Sequence, residues 1–139
     1  SDIAISTDII VGFPGEGEKE FLETLENSKK LAFSKIHVFP YSERKGTPAA
    51  KFKDKVSDND KKDRVKRLIS LSEDLEIEYM EKFIGKEIDV LIETNKEGYS
   101  IGHTSNYLLV KVKGNYKQED IVKVIVEDIE YPYVKGKVS

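Results

Sequence analysis

The chain has 139 residues, a formal net charge of -3, and 35% charged against 38% hydrophobic side chains, so one domain or two small ones is expected. The slight acidic excess argues against a broadly basic nucleic-acid-binding protein. The absence of cysteine excludes disulfides, thiolate metal sites, iron–sulfur ligation and cysteine nucleophiles within these residues. No apolar run approaches the roughly 18 residues of a membrane span and no signal peptide opens the sequence, which makes a cytoplasmic protein the default.

Residues 7–13 form the first expected strand. Its run of Ile9, Ile10 and Val11 suits a parallel strand covered on both faces. It breaks at Gly12-Phe13-Pro14-Gly15 and opens into a helix from Glu16 to about Phe33. Phe21, Leu22, Leu25 and Ala32 share one face of that helix, with glutamates in its first turns and Lys29-Lys30 in its last. A helix start behind a strand tip aims free backbone N–H groups at whatever lies there, as at a ligand-facing strand end. A second strand follows at 35–41. The strand–helix–strand order implies a parallel pair joined by a crossover. Two parallel strands and one helix cannot bury both sheet faces, so this segment needs partners outside the sequence.

Residues 42–57 read as a loop with turn residues Gly46 and Pro48. Ser57 and Asp60 resemble a helix cap, and a long helix runs from there to about Ile84, stopped by Gly85. Val65, Leu68, Ile69, Ser72, Leu75, Tyr79 and Phe83 make its expected buried stripe. Its first half, with the loop before it, is rich in Lys and Arg, and the balance reverses beyond Glu73. Two readings of the basic start stand side by side: a solvated helix face, or an RNA-facing one.

After Gly85 the period becomes two. Ile88-Val90-Ile92, Tyr99-Ile101, Leu108-Val110-Val112, Val122-Val124-Val126 and Tyr133-Val134 alternate with polar residues, separated by turn signals at 95–98, 104–106 and 114–115. Five short strands predict a small antiparallel barrel of the oligonucleotide-binding type. Lysines and acids nearly balance over 85–139, so an RNA surface there must come from local arrangement.

The glycine-rich turn is not a phosphate loop. Glu18 stands where a Lys is needed and Glu20 where a Ser or Thr would hold magnesium; Glu20 also replaces the third glycine of a dinucleotide fingerprint. What remains open is a structural strand–helix turn or one that approaches a neutral or cationic ligand edge. His37 and His103, the only histidines, lack partners at metal-ligand spacing and read as hydrogen-bonded structural residues.

Asp8-Ile9-Ile10-Val11-Gly12-Phe13-Pro14-Gly15-Glu16, then His37-Val38-Phe39-Pro40-Tyr41-Ser42, then Arg44 with Gly46-Thr47-Pro48-Ala49-Ala50 together resemble the late strands of radical S-adenosylmethionine methylthiotransferases. The long helix and Gly102-His103-Thr104-x-Asn106-Tyr107 are similar to that family's linker and C-terminal TRAM domain, a small RNA-binding barrel. The form of the second and third motifs looks most like the branch acting on N6-threonylcarbamoyladenosine in tRNA. Two departures stand out: Gly17 replaces a capping Thr, and Glu43 and Lys45 replace two prolines flanking Arg44.

The resemblance implies an α+β chain in three parts. Residues 1–56 would be the end of a (β/α) barrel, 57–84 a linker helix, and 85–139 the TRAM domain. It implies S-adenosylmethionine contacts, by backbone and apolar surface, from Val11, Gly12, Phe13, Pro14, Gly15 and Glu16 and from Phe39, Pro40, Tyr41 and Ser42. It implies contacts to a tRNA anticodon stem-loop from Arg44, Lys61, Lys62, Arg64, Lys66 and Arg67, and from His103, Asn106, Tyr107, Lys111 and Lys113. The family's [4Fe–4S] clusters are held by cysteines in earlier parts of the chain. On this reading the present residues are an inactive portion of a 2-methylthiolating enzyme, lacking the N-terminal part of their own chain. With open strand edges, they would dimerise or swap elements. The rival reading is a stand-alone RNA-binding module without catalysis.

Overall fold

The computed structural model describes residues 3–139. The elements in order are β1 (Ser6–Val11), α1 (Glu18–Leu31), β2 (Lys35–Pro40), a 3₁₀ turn (Pro48–Lys51), α2 (Asp58–Glu81), β3 (Glu87–Lys96), β4 (Tyr99–His103), β5 (Leu109–Lys113), β6 (Ile121–Glu130) and β7 (Tyr133–Val138). They divide into two compact units, 5–76 and 77–139 with Ile3 and Ala4, and the division falls inside α2. No helix among the described residues is long and apolar enough to cross a membrane.

In the first unit β1 and β2 pair in parallel, from Ser6 beside Lys35 to Val11 beside Pro40. Val11, Phe21, Ile36, Leu68 and Leu75 form the core, with Ile9, Leu25, Phe33, Val38, Val65 and Leu71 packed around them. Strand alternation therefore turns Ile9, Val11, Ile36 and Val38 toward α1 and α2. Ile10 and Phe39, partners in register, are left on the opposite face, 57% and 50% exposed. The expected cover on both faces is absent among the described residues, because both helices pack on the same side. The outer edge of β2 is partly satisfied from within: the Ser72 hydroxyl donates to the Ile36 carbonyl and accepts the Ile36 N–H, both at 3.1 Å. That bond explains a serine in a buried helix stripe.

The second helix begins as expected, and the first starts two residues later than expected. Gly17 caps α1 without a side chain, and Glu20 compensates by accepting the Gly17 N–H at 3.0 Å. Ser57 Oγ accepts the Asp60 N–H at 3.2 Å ahead of α2. The predicted ends of α1 contract to Glu18 and Leu31. In α2 the stripe holds at Leu68, Ser72, Leu75 and Tyr79, whereas Ile69 is exposed and Arg64 and Met80 are buried instead; the helix ends at Glu81 rather than near Ile84, and Phe83 is buried in the turn beyond it.

The second unit is a closed barrel in the order β3-β4-β5-β7-β6. Four of its neighbouring pairs are antiparallel, but β5 and β7 run parallel, with Val110 beside Val134. The wholly antiparallel barrel expected from the sequence is thereby corrected. An odd number of strands cannot alternate direction all the way round a closed ring, so one neighbouring pair must run parallel. Val90, Ile92, Val110, Val112, Val124, Val126 and Val134 fill the interior with Tyr79, Met80, Phe83 and Leu108. Two inward positions admit only glycine. A Cβ on Gly102 would lie 1.9 Å from the Leu91 carbonyl oxygen, and one on Gly136 would lie 2.4 Å from that of Ile125. Backbones cross this closely where a small barrel bends, and β3 carries a register shift between Ile92 and Thr94 opposite Gly102.

Candidate functional site

On the bare face of the first unit, Asp8, Ile10, Phe13, Phe39, Pro40, Tyr41, Ser42, Arg44, Thr47 and Ala49 line an open groove of about 640 Å³. Phe13 meets Tyr41 edge to face at 5.2 Å between ring centroids, and Phe52 at 6.1 Å. The aromatic walls therefore brace one another. Asp8, Ser42 and Arg44 supply polar groups along an otherwise apolar surface, the composition of a small-molecule wall.

The ten residues expected to contact cofactor do not all lie here. Phe13, Phe39, Pro40, Tyr41 and Ser42 line the groove. Gly12 and Pro14 face a second hollow of about 280 Å³ with Tyr41, Glu43, Lys55, Val56, Asp58 and Lys61. The Val11 side chain is in the helix-covered core, and its carbonyl accepts the Tyr41 N–H at 2.7 Å. Gly15 donates its N–H to the Asp54 carbonyl at 2.8 Å. Glu16 is engaged internally: its Oε1 accepts the Gly12 N–H at 2.8 Å and an Arg64 N–H at 2.9 Å.

In the turn ahead of α1 most donors are engaged. The N–H groups of Gly12, Gly15, Glu16 and Gly17 are all bonded, to Glu16, Asp54, Phe13 and Glu20 respectively. A turn whose donors are engaged offers no anion nest, in keeping with its lack of a phosphate-loop sequence. Sequence reading missed Asp8, Ile10, Thr47 and Ala49 as groove residues; the period-two alternation of β1 and β2 was the signal that selects Asp8, Ile10 and Phe39 for the same face.

The basic residues of α2 separate by environment. Arg64 is buried and bonded to Glu16 through both carbonyl and carboxylate, so its expected RNA-facing position is corrected to an interior one. Arg67 donates to Glu18 at 2.7 Å and Asp63 at 3.4 Å, and the Glu18 hydrogen bond raises its pKa above the usual arginine value. Lys61 lies along Gly12 and over the Tyr41 ring, 5.5 Å from its centroid. Lys62, Lys66 and Arg44 are exposed.

In the barrel, His103 meets Glu93 through Nδ1. Asn106 Oδ1 accepts from the Thr104 hydroxyl, whose oxygen in turn accepts the Leu108 N–H at 3.1 Å. Tyr107 sits on this turn at a positive φ of 66° and is 82% exposed. Lys111 and Lys113 alternate with buried Val110 and Val112, so both point outward from β5. Among the described residues no three His, Asp or Glu side chains gather as a metal site.

Comparison with known proteins bears on both units. Residues 81–139 match the family model described as TRAM domain. The chain is 44% identical, over 97% of its length, to the threonylcarbamoyladenosine tRNA methylthiotransferase MtaB of Bacillus subtilis, of which it covers 31%. It is 41% identical over 82% of its length to the protein of the same name from Thermotoga maritima, covering 26% of it. It is 47% identical over 66% of its length to the tRNA-2-methylthio-N(6)-dimethylallyladenosine synthase of Acetivibrio thermocellus, covering 19%. The chain thus spans less than a third of the length of these relatives.

Proposed function

We propose, for a chain that carries a TRAM domain and is similar over nearly its whole length to tRNA methylthiotransferases, that it forms the C-terminal portion of such an enzyme. The reaction is 2-methylthiolation of N6-threonylcarbamoyladenosine next to the anticodon. The observation that carries this reading is the 44% identity to a threonylcarbamoyladenosine tRNA methylthiotransferase over 97% of the chain. In this reading residues 1–56 end a radical barrel, 57–84 link, and 85–139 bind RNA in the cytoplasm, where the substrate tRNA is found.

The bare face of β1 and β2 supports it. An apolar sheet surface with Ile10 and Phe39 half exposed is what remains when a barrel's other strands lie elsewhere in the polypeptide. The groove residues fit one wall of an adenosyl ligand: Phe13, Phe39 and Tyr41 offer ring contacts, and Asp8 and Ser42 offer hydrogen bonds to a sugar or amino acid moiety. S-adenosylmethionine, when bound, supplies the methyl group and the radical chemistry. The residues of this chain bind and orient, and exclude water from that wall. The [4Fe–4S] clusters need cysteines, which these residues lack.

The test is reconstitution of the longer polypeptide that contains this chain, with clusters assembled anaerobically, followed by mass spectrometry of nucleosides from treated tRNA. A methylthio gain on N6-threonylcarbamoyladenosine is expected. A gain only on dimethylallyladenosine moves the enzyme to the other branch, and no gain on either overturns the reading. The 139 residues alone are expected to show no activity.

A further inference from the structure

Near-balance of charge over residues 85–139 conceals a segregation that the barrel topology creates. On β4, β5 and β7 the inward positions are Ser100, Gly102, Val110, Val112, Val134 and Gly136, so Tyr99, Lys111, Lys113, Tyr133 and Lys135 share the outer face. Lys111 and Lys135 are direct partners across the parallel pair, and Tyr99 stands opposite Lys113. Lys111 Nζ sits between two rings, 4.4 Å from the Tyr99 centroid and 5.6 Å from that of Tyr133; Lys135 Nζ is 5.8 Å from Tyr99. One carboxylate serves both cations: Glu130 reaches Lys111 at 3.6 Å and Lys135 at 3.9 Å. The β3–β6 side is the reverse. There Glu87, Asp89, Glu93, Glu127 and Asp128 are exposed against Lys96 and Lys123; Glu87 and Asp89 share Lys123, and Glu127 reaches Lys137 of β7 at 3.9 Å.

We infer that the outer face of β4, β5 and β7 is where this barrel receives RNA, with Tyr99 and Tyr133 as stacking surfaces and Lys111, Lys113 and Lys135 as phosphate contacts. The inference rests on the RNA-binding role proposed above and names its face. Partly buried tyrosines interleaved with lysines suit unpaired nucleotides, whose bases are free to stack on the ring surface left open while the backbone follows the cations. A paired A-form helix hides its base faces and would use the lysines alone. The acidic β3–β6 side repels phosphate. Glu130 opposes binding as well, since it holds the two central lysines in competition with the RNA backbone.

The experiment uses the 139-residue chain and two fluorescein-labelled probes, an RNA hairpin with an unpaired loop and a fully paired RNA duplex of equal length, titrated over a range of salt. The hairpin is expected to bind more tightly. Tyr99→Leu and Tyr133→Leu each weaken hairpin binding about tenfold with the salt slope unchanged. Lys111→Gln and Lys135→Gln each weaken it and flatten the slope by about 0.7. Glu130→Gln strengthens it, and Lys123→Gln on the far side leaves it unaltered. Circular dichroism confirms that each surface variant is folded. Binding by the parent chain that none of the β4–β5–β7 variants changes overturns the assigned face and leaves the RNA role standing. No binding of either probe by the parent chain overturns both.

Discussion

Arg64 donates to both the carbonyl and the carboxylate of Glu16, at 2.7 and 2.9 Å, from a side chain only 7% exposed. The same Glu16 oxygen accepts the Gly12 N–H, so one residue of α2 fixes the shape of the turn that follows β1. Phe13 and Tyr41, the groove's braced rings, depend on that shape. A basic residue that the family resemblance places among RNA contacts is instead an internal anchor.

Removing the anchor should be costly. Arg64→Met leaves Glu16 a nearly buried carboxylate without its cation, and a loss of about 3–5 kcal/mol is expected in urea unfolding. Glu16→Gln keeps an acceptor for Gly12 and should cost less. A double-mutant cycle between the two should give a coupling of about 1 kcal/mol or more; additive losses would show that the pair does not act as a unit.

Ser100 is fully buried, and its hydroxyl oxygen accepts the Tyr116 N–H at 2.9 Å while lying 2.5 Å from Asn95 Oδ1 and 2.9 Å from the Gly114 carbonyl. Ser100→Ala should destabilise the barrel by about 1–3 kcal/mol by stranding those partners. Hydrogen exchange at the Tyr116 amide should accelerate; an unchanged rate would mean that water replaces the hydroxyl without penalty.

Gly102→Ala and Gly136→Ala place a methyl group against backbone carbonyls, which cannot swing aside as a side chain can. Each should cost about 3 kcal/mol or prevent folding. Gly46→Ala is the control, because its Cβ meets nothing within 4 Å and only the positive φ of 84° is strained, at about 1 kcal/mol. Equal melting temperatures for all three would contradict the close crossing of strands in the barrel.

The bare sheet face should make the isolated chain associate. Sedimentation is expected to show concentration-dependent dimers or higher species, abolished by Ile10→Asp with Phe39→Asp. A monomer throughout the concentration range would show that half-exposed Ile10 and Phe39 are tolerated in water.

Exposed Lys62 and Lys66 are the free-facing cations of early α2. In the longer enzyme proposed to contain this chain, Lys62→Glu with Lys66→Glu should weaken tRNA binding and lower its salt slope by about 1–2, measured by filter binding. Arg67→Glu should in addition lower thermal stability, since it places an acid beside Glu18 and Asp63.

Local pattern alone determined a good deal here. Alternation at Ile88-Val90-Ile92 and its four successors marks all five barrel strands, Ser57 marks the start of α2, and Phe13 with Phe39-Pro40-Tyr41-Ser42 belongs to motifs that reach the groove. These features depend on residues near in sequence, whose backbone preferences and periodicity are written directly in the chain. Long-range pairing decided the rest. The parallel β5–β7 pair follows from ring closure, which no single strand encodes. Arg64 is forty-eight positions from Glu16, and only the packing of α2 on the sheet turns a cation from solvent to interior. The basic and acidic sides of the barrel arise the same way. Alternation tells which residues point outward, but strand order alone tells which outward residues become neighbours, and charge acts between neighbours.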